Sequence, residues 1–141
     1  MSSRYPPERL SEALEPLRQA LASEPLEFAF LHGSSAEGRS FRDVDVAAYV
    51  DPAHPGLRDP LTLIMDMGDR LERTIGLPVD VHLLNGAPLG FCYQVTRGRL
   101  LWSRDAERLG AWRERVWADY LDAQPYFQEQ ARAWFGLPAR R

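Results

Sequence analysis

The chain has 141 residues, 45% of them hydrophobic, which suits one compact domain because chains split only beyond roughly 250 residues. A net charge of −3 advertises no broadly basic surface, so direct nucleic-acid binding is not expected. All 17 basic residues are arginine, which excludes a Schiff-base or P-loop lysine. Cys92 has no partner for an intrachain disulfide, and a cytoplasmic address is the default. Met1 to Pro7 lack the apolar core of a signal peptide, and no apolar run approaches the ~20 residues of a membrane span, so a soluble protein is expected.

In chain order, Leu10, Leu14, Leu17 and Leu21 recur at helical spacing. Pro16 removes a backbone hydrogen bond there, predicting a kink or two short helices meeting near Glu15. The run Leu26 to Leu31 reads as a first strand that stops at Gly33, with Ser34 or Ser35 capping a short helix. A second strand is expected from about Asp43 to Val50, burying Val44, Val46, Ala48 and Val50. Asp59-Pro60 reads as an N-cap and first helical residue; Leu61, Ile64, Gly68, Leu71 and Ile75 form the stripe, and Gly76 and Pro78 close it. Val79 to Leu84 is a third strand, with Val79, Val81 and Leu83 on one face and Asp80 and His82 on the other. A fourth strand falls near Arg99 to Trp102. A helix capped by Ser103 follows, with Leu109, Trp112, Val116 and Tyr120 on one stripe. Pro125 is expected to divide it from a last helix carrying Phe127, Ala131 and Trp134, stopped by Gly136 and Pro138.

The chemistry concentrates at His32-Gly33-Ser34-Ser35-Ala36-Glu37-Gly38 and the Asp43-Val44-Asp45 that follows. Side chains alternate along a strand, so Asp43 and Asp45 project to one side and can share divalent cations. Asp80, an acid amid Val and Leu, is costly there unless it faces solvent or a cation. Three carboxylates can hold the two magnesium ions of in-line nucleotidyl transfer, one activating the attacking hydroxyl and one stabilising pyrophosphate. Gly33 permits close backbone approach, while Ser34 and the amides beyond it can bind phosphate oxygens.

Leu31 to Gly38 with Asp43-Val44-Asp45, and the later Val79-Asp80-Val81, resemble the minimal nucleotidyltransferases of the polymerase β superfamily, antitoxins encoded beside HEPN-domain toxins. The resemblance covers roughly Phe28 to Trp102. It implies an α/β (α+β) fold, a small mixed sheet flanked by helices with N- and C-terminal helical extensions, and a magnesium–ATP site. Residues 1–141 would then be one nucleotidyltransferase domain: a helical segment over 1–24, a catalytic core over 26–102 and C-terminal helices over 103–136. By the same resemblance Gly33 and Ser34 match the phosphate-gripping pair, Asp43 and Asp45 the metal-binding pair, and Asp80 the third acid that helps deprotonate the acceptor. The implied activity is transfer of AMP from ATP to a tyrosine hydroxyl of a HEPN ribonuclease toxin, silencing it. Two positions depart from the family pattern. Glu37 stands where arginine is common and Arg42 where serine is common, which redistributes charge around the nucleotide entrance. Arg39 or Arg42 is available to triphosphate or acceptor, or is simply solvated.

Competing readings are weighed on residues. Gly33-Ser34-Ser35-Ala36-Glu37 approaches a nucleophile elbow but carries Glu37 where glycine is required. An antitoxin that neutralises by binding alone is opposed by the presence of all three aspartates. Transfer to a small-molecule hydroxyl asks for a larger substrate-binding portion than this chain has. His82, on the face of Asp80, is the best secondary candidate; His32 reads first as a hydrogen-bonded strand-end histidine, and His54 as a loop residue. Trp112, Trp117 and Trp134 read as core, or as partner anchors where exposed.

Overall fold

A computed structural model describes residues 4–134 and 136, the side chain of Trp134 excepted. The elements are α1 (Pro7–Ala22), β1 (Leu26–His32), α2 (Gly33–Ala36), β2 (Val44–Val50), a 3-10 turn (Pro55–Arg58), α3 (Pro60–Ile75), β3 (Val79–Leu83), α4 (Leu89–Thr96), β4 (Arg99–Ser103) and α5 (Ala106–Trp134). The four strands form a mixed sheet in the order β3-β2-β1-β4. β1 is antiparallel to β2 and to β4, whereas β2 and β3 run parallel. Parallel neighbours need a crossover, and α3 is that crossover. The expected α/β class with a small mixed sheet is what the chain adopts.

Period-two patterning explains the layers. Val44, Val46, Ala48 and Val50 are all buried against Leu17 and Leu21 of α1 and Met67 and Leu71 of α3. The opposite face is covered too: Phe28, Phe30 and Ala47 pack with Cys92 and Val95 of α4 and Leu109 and Val116 of α5. Central β1 is therefore buried on both sides, which accounts for an apolar-rich sequence that only Glu27 interrupts before His32. Glu24, only 8% exposed, accepts from Arg70 Nε (3.0 Å) and Nη2 (2.7 Å), tying the chain after α1 to α3.

Several expectations are corrected. α1 is one helix through Pro16, and α5 is one helix through Pro125. Each proline sits on an exposed side, and the carbonyls they free, at Glu12 and Leu121, belong to exposed residues that water can serve. Asp59 caps α3 by accepting from Thr62 N–H (3.4 Å), and Gly76 closes it with φ 71°. Leu61, however, is 67% exposed, and the apolar stripe begins a turn later, with Met67, Gly68 and Leu71 buried. Ser103 belongs to β4, and Asp105 caps α5 instead, accepting from Glu107 N–H at 2.9 Å. Gly136 has φ 66°; Pro138 and the Trp134 side chain lie outside the described residues. α4 is an element that sequence patterning did not reveal.

Candidate active site

The site forms where β1, β2 and β3 end a common row. Ladder pairing sets His32 opposite Asp45, and Asp45 opposite Asp80. Ala47 pairs with His82 one step further along. Paired residues of neighbouring strands project to the same face, so an Asp45–Asp80 juxtaposition follows directly from the β2–β3 register. His82 Nε2 lies 3.1 Å from Asp80 Oδ2 and 3.9 Å from Asp45 Oδ1. One ligand atom from each of Asp45, Asp80 and His82 falls within 4.8 Å of the others.

Asp43 is placed differently from its sequence expectation. β2 begins at Val44, whose N–H donates to Pro78 O (2.8 Å), so Asp43 stands in the bend before the strand with its side chain exposed. It is not drawn into the Asp45–Asp80–His82 cluster, although its charge is felt at Asp45. Asp45 is held above the ordinary carboxylate range, chiefly by burial and then by the charges of Asp80 and Asp43, with His82 opposing. A cation would relieve these like-charge contacts. Among the described residues, the one basic side chain within 4 Å of both Asp45 and Asp80 is the His82 imidazole.

Gly33 explains how Asp45 comes so close to the turn. Its φ is 73°, and a Cβ there would overlap Asp45 Oδ2 and lie 3.3 Å from Asp45 Cγ. The glycine thus serves both the left-handed backbone and the carboxylate packed against it. The following α2 is a single turn with no side-chain cap, contrary to the expected serine cap. Ser35 is buried and its Oγ donates to His32 O (3.3 Å). Ser34 is half-buried at the turn; its carbonyl accepts from Glu37 N–H (3.2 Å) and Arg39 N–H (3.4 Å).

The histidines differ from one another. His32 has a buried Nε2 without a hydrogen-bond partner, so the reading of an ordinary hydrogen-bonded histidine fails at that atom. Its ring lies edge-on to His82 at 5.0 Å and to Phe91 at 5.5 Å. Burial, then the nearby His82, push its pKa below the usual histidine value, against a smaller opposing effect of Asp80. His54 is remote in role, its Nδ1 accepting from Gly56 N–H at 3.0 Å. Arg39 is engaged by Glu37, so the cation nearest in sequence to the turn is already paired. Trp112 packs on Phe28 (4.8 Å), while Trp117 is 47% exposed and donates from Nε1 to Thr96 Oγ1 (2.7 Å). Phe91 and Gln94 of α4, and Arg97 just after it, border the site but escaped sequence reading, because the helix itself did.

The donor set fits a hard divalent cation: carboxylate oxygens brought together without an arginine, beside a glycine cradle that any side chain would fill. Comparison with known proteins agrees with this chemistry. The family described as polymerase beta, nucleotidyltransferase matches residues 15–107. No curated protein matches the chain. Among solved structures, a toxin–antitoxin with AMP-PNP superposes with TM-score 0.70 at 18% identity, covering 86% of this chain and 98% of that one. A complex of a tri-AMPylated Shewanella oneidensis HEPN toxin with an MNT antitoxin gives 0.62 at 17% identity, with 91% and 97% covered. The MntA–HepT toxin–antitoxin gives 0.61 at 17%, again with 91% and 97% covered. At such identities the likeness is one of fold. The family match spans most of the sequence, and the chain belongs to the polymerase β nucleotidyltransferase family.

Proposed function

We propose that this protein is a magnesium-dependent antitoxin that transfers AMP from ATP to a tyrosine hydroxyl of a HEPN-type ribonuclease partner. The observation that carries the reading is the Asp45–Asp80 pair across parallel strands, packed against Gly33. The acceptor class is supported by the fold neighbours described as toxin–antitoxin complexes, one of them AMPylated. Asp43, Asp45 and Asp80 would hold the metal, with His82 Nε2 placed 3.1 Å from Asp80 Oδ2. Magnesium, when bound, supplies Lewis-acid charge at the α-phosphate and the departing pyrophosphate. The chain's own residues do the rest. Gly33 and Ser34 grip phosphate oxygens, Asp80 accepts the proton of the incoming hydroxyl, and His82 fixes the Asp80 carboxylate. The hydroxyl oxygen bonds to the α-phosphorus as the bond to the pyrophosphate oxygen breaks, and pyrophosphate departs with that electron pair.

The test is incubation with α-labelled ATP, magnesium and the product of the adjacent gene. Label should move to that partner, and should be lost in Asp45→Ala and Asp80→Ala. Transfer surviving both substitutions would remove the site; a partner silenced without label would favour neutralisation by binding alone.

A further inference from the structure

Next to the acids lies a cleft of opposite character. It has a volume of about 430 Å³ and is lined by His32 and Gly33 at the glycine turn together with Phe91, Gln94, Arg97 and Arg99. Clefts of this size match small-molecule sites, which span roughly 300–1,000 Å³.

The two arginines of the lining have no acidic partner among the described residues. Among the described residues, neither Arg97 nor Arg99 makes an ion pair or a side-chain hydrogen bond, and both are exposed. The other charged residue of the lining, Glu37, is already engaged by Arg39. Their backbone is nonetheless fixed. Gly98, between them, packs so tightly on β1 that a Cβ would overlap Leu31 O and lie 3.2 Å from Val95 O. Arg97 N–H donates to Gln94 O (3.1 Å), Gly98 N–H to Val95 O (2.9 Å), and Arg99 pairs with Leu31 in the β1–β4 ladder. Two free guanidinium groups carried on a braced backbone are available to an anion in the cleft, and their planar donors suit phosphate oxygens.

Sheet order gives the direction of the charge. Passing from β3 through β2 and β1 to β4, one meets Asp80, Asp45, His32 and then the Arg97–Arg99 turn. A metal-bound polyphosphate has a complementary profile, cationic at the metal and anionic at its far end. We propose that Arg97 and Arg99 hold the terminal phosphates of the nucleoside triphosphate, a role resting on the nucleotidyl-transfer reading above.

Calorimetric titration in magnesium buffer with ATP, AMP and inorganic tripolyphosphate tests this, comparing wild type with Arg97→Gln/Arg99→Gln. Both residues are exposed, so the variant should keep the wild-type thermal midpoint. ATP and tripolyphosphate should bind wild type at least about tenfold tighter than AMP. The variant should lose about ten- to hundredfold for both and keep its AMP affinity, as expected for lost charge-assisted bonds. An unchanged ATP affinity in the variant, or equal wild-type affinity for ATP and AMP, overturns the assignment. The two readings fail separately. Tripolyphosphate binding without label transfer to any protein spares the cleft and sinks the transferase, whereas label transfer with a wild-type KM for ATP in the variant does the reverse.

Discussion

Replacing Gly33 by alanine perturbs the site through one methyl group, and its consequences separate into two magnitudes. The backbone holds φ at 73°, where a residue with a Cβ pays roughly 1–2 kcal/mol. For a chain of this length that corresponds to a thermal midpoint lowered by about 3–7 °C. The methyl would also occupy the place of Asp45 Oδ2, so the carboxylate must rotate or withdraw. A displacement near 1 Å at a reacting centre costs about a hundredfold in rate. Gly76→Ala is the matched control: φ is 71°, and nothing lies within 4 Å of the added Cβ. Both variants should lose similar stability by differential scanning fluorimetry, but only Gly33→Ala should lose magnesium-dependent transfer of labelled AMP. Wild-type transfer by Gly33→Ala, at a temperature where it is folded, would refute the idea that the glycine exists to admit the Asp45 carboxylate.

Two further outcomes follow from charges outside and inside the site. Because folding raises the Asp45 pKa above its unfolded value, the native state binds more protons and its stability falls as pH rises through that interval. In chelator, Asp45→Asn should therefore melt above wild type at pH 7–8, with the difference fading as pH drops towards the unfolded carboxylate value; a destabilised variant at neutral pH would contradict this. Arg70→Ala leaves the nearly buried Glu24 carboxylate without its two donors, and urea unfolding should show a loss of about 2 kcal/mol, moderated because Arg70 is itself half-exposed. Glu24→Gln, which retains an acceptor, should cost less, and the opposite order would show that the pair does not act through the buried carboxylate.

Local patterns made much of this molecule legible. The alternation Val44, Val46, Ala48, Val50 named the buried face of β2, and Val79, Asp80, Val81 separated core from site on β3. Asp59, Pro60 and Gly76 bounded α3 because caps are made by neighbours in sequence. What escaped depends on surroundings. α4 reads Leu89-Gly90-Phe91-Cys92-Tyr93-Gln94-Val95-Thr96, apolar with aromatic and β-branched residues and without a polar stripe, because the sheet lies on one side of it and α5 on another. The arginines after it were invisible for the same reason. Pro125 was read as a break and Pro16 as a kink or a break, since sequence does not tell which side of a helix meets water. At the site, the spacing of Asp43 and Asp45 suggested a pair; Asp45 lies on β2, and Asp43 stands in the bend just before it. Alternation put His82 on the face of Asp80, whereas the register that brings both beside Asp45 is a cross-strand property that no spacing rule discloses.

The parallel β2–β3 pairing has a consequence for how the site comes into being. Asp45 and Asp80 meet only after the intervening chain has formed α3 and returned beside β2, so no local fragment can prefigure the acid pair. Loop-closure entropy must be met before that contact exists, and the contact itself is between like charges. β3 is moreover an edge strand, joined to the sheet along β2 alone. A divalent ion shared by Asp45 and Asp80 would act as a clasp on this edge strand. Competence for nucleotide chemistry and completion of the sheet would then be one event, and a chain that had not finished folding would have nowhere to put the metal.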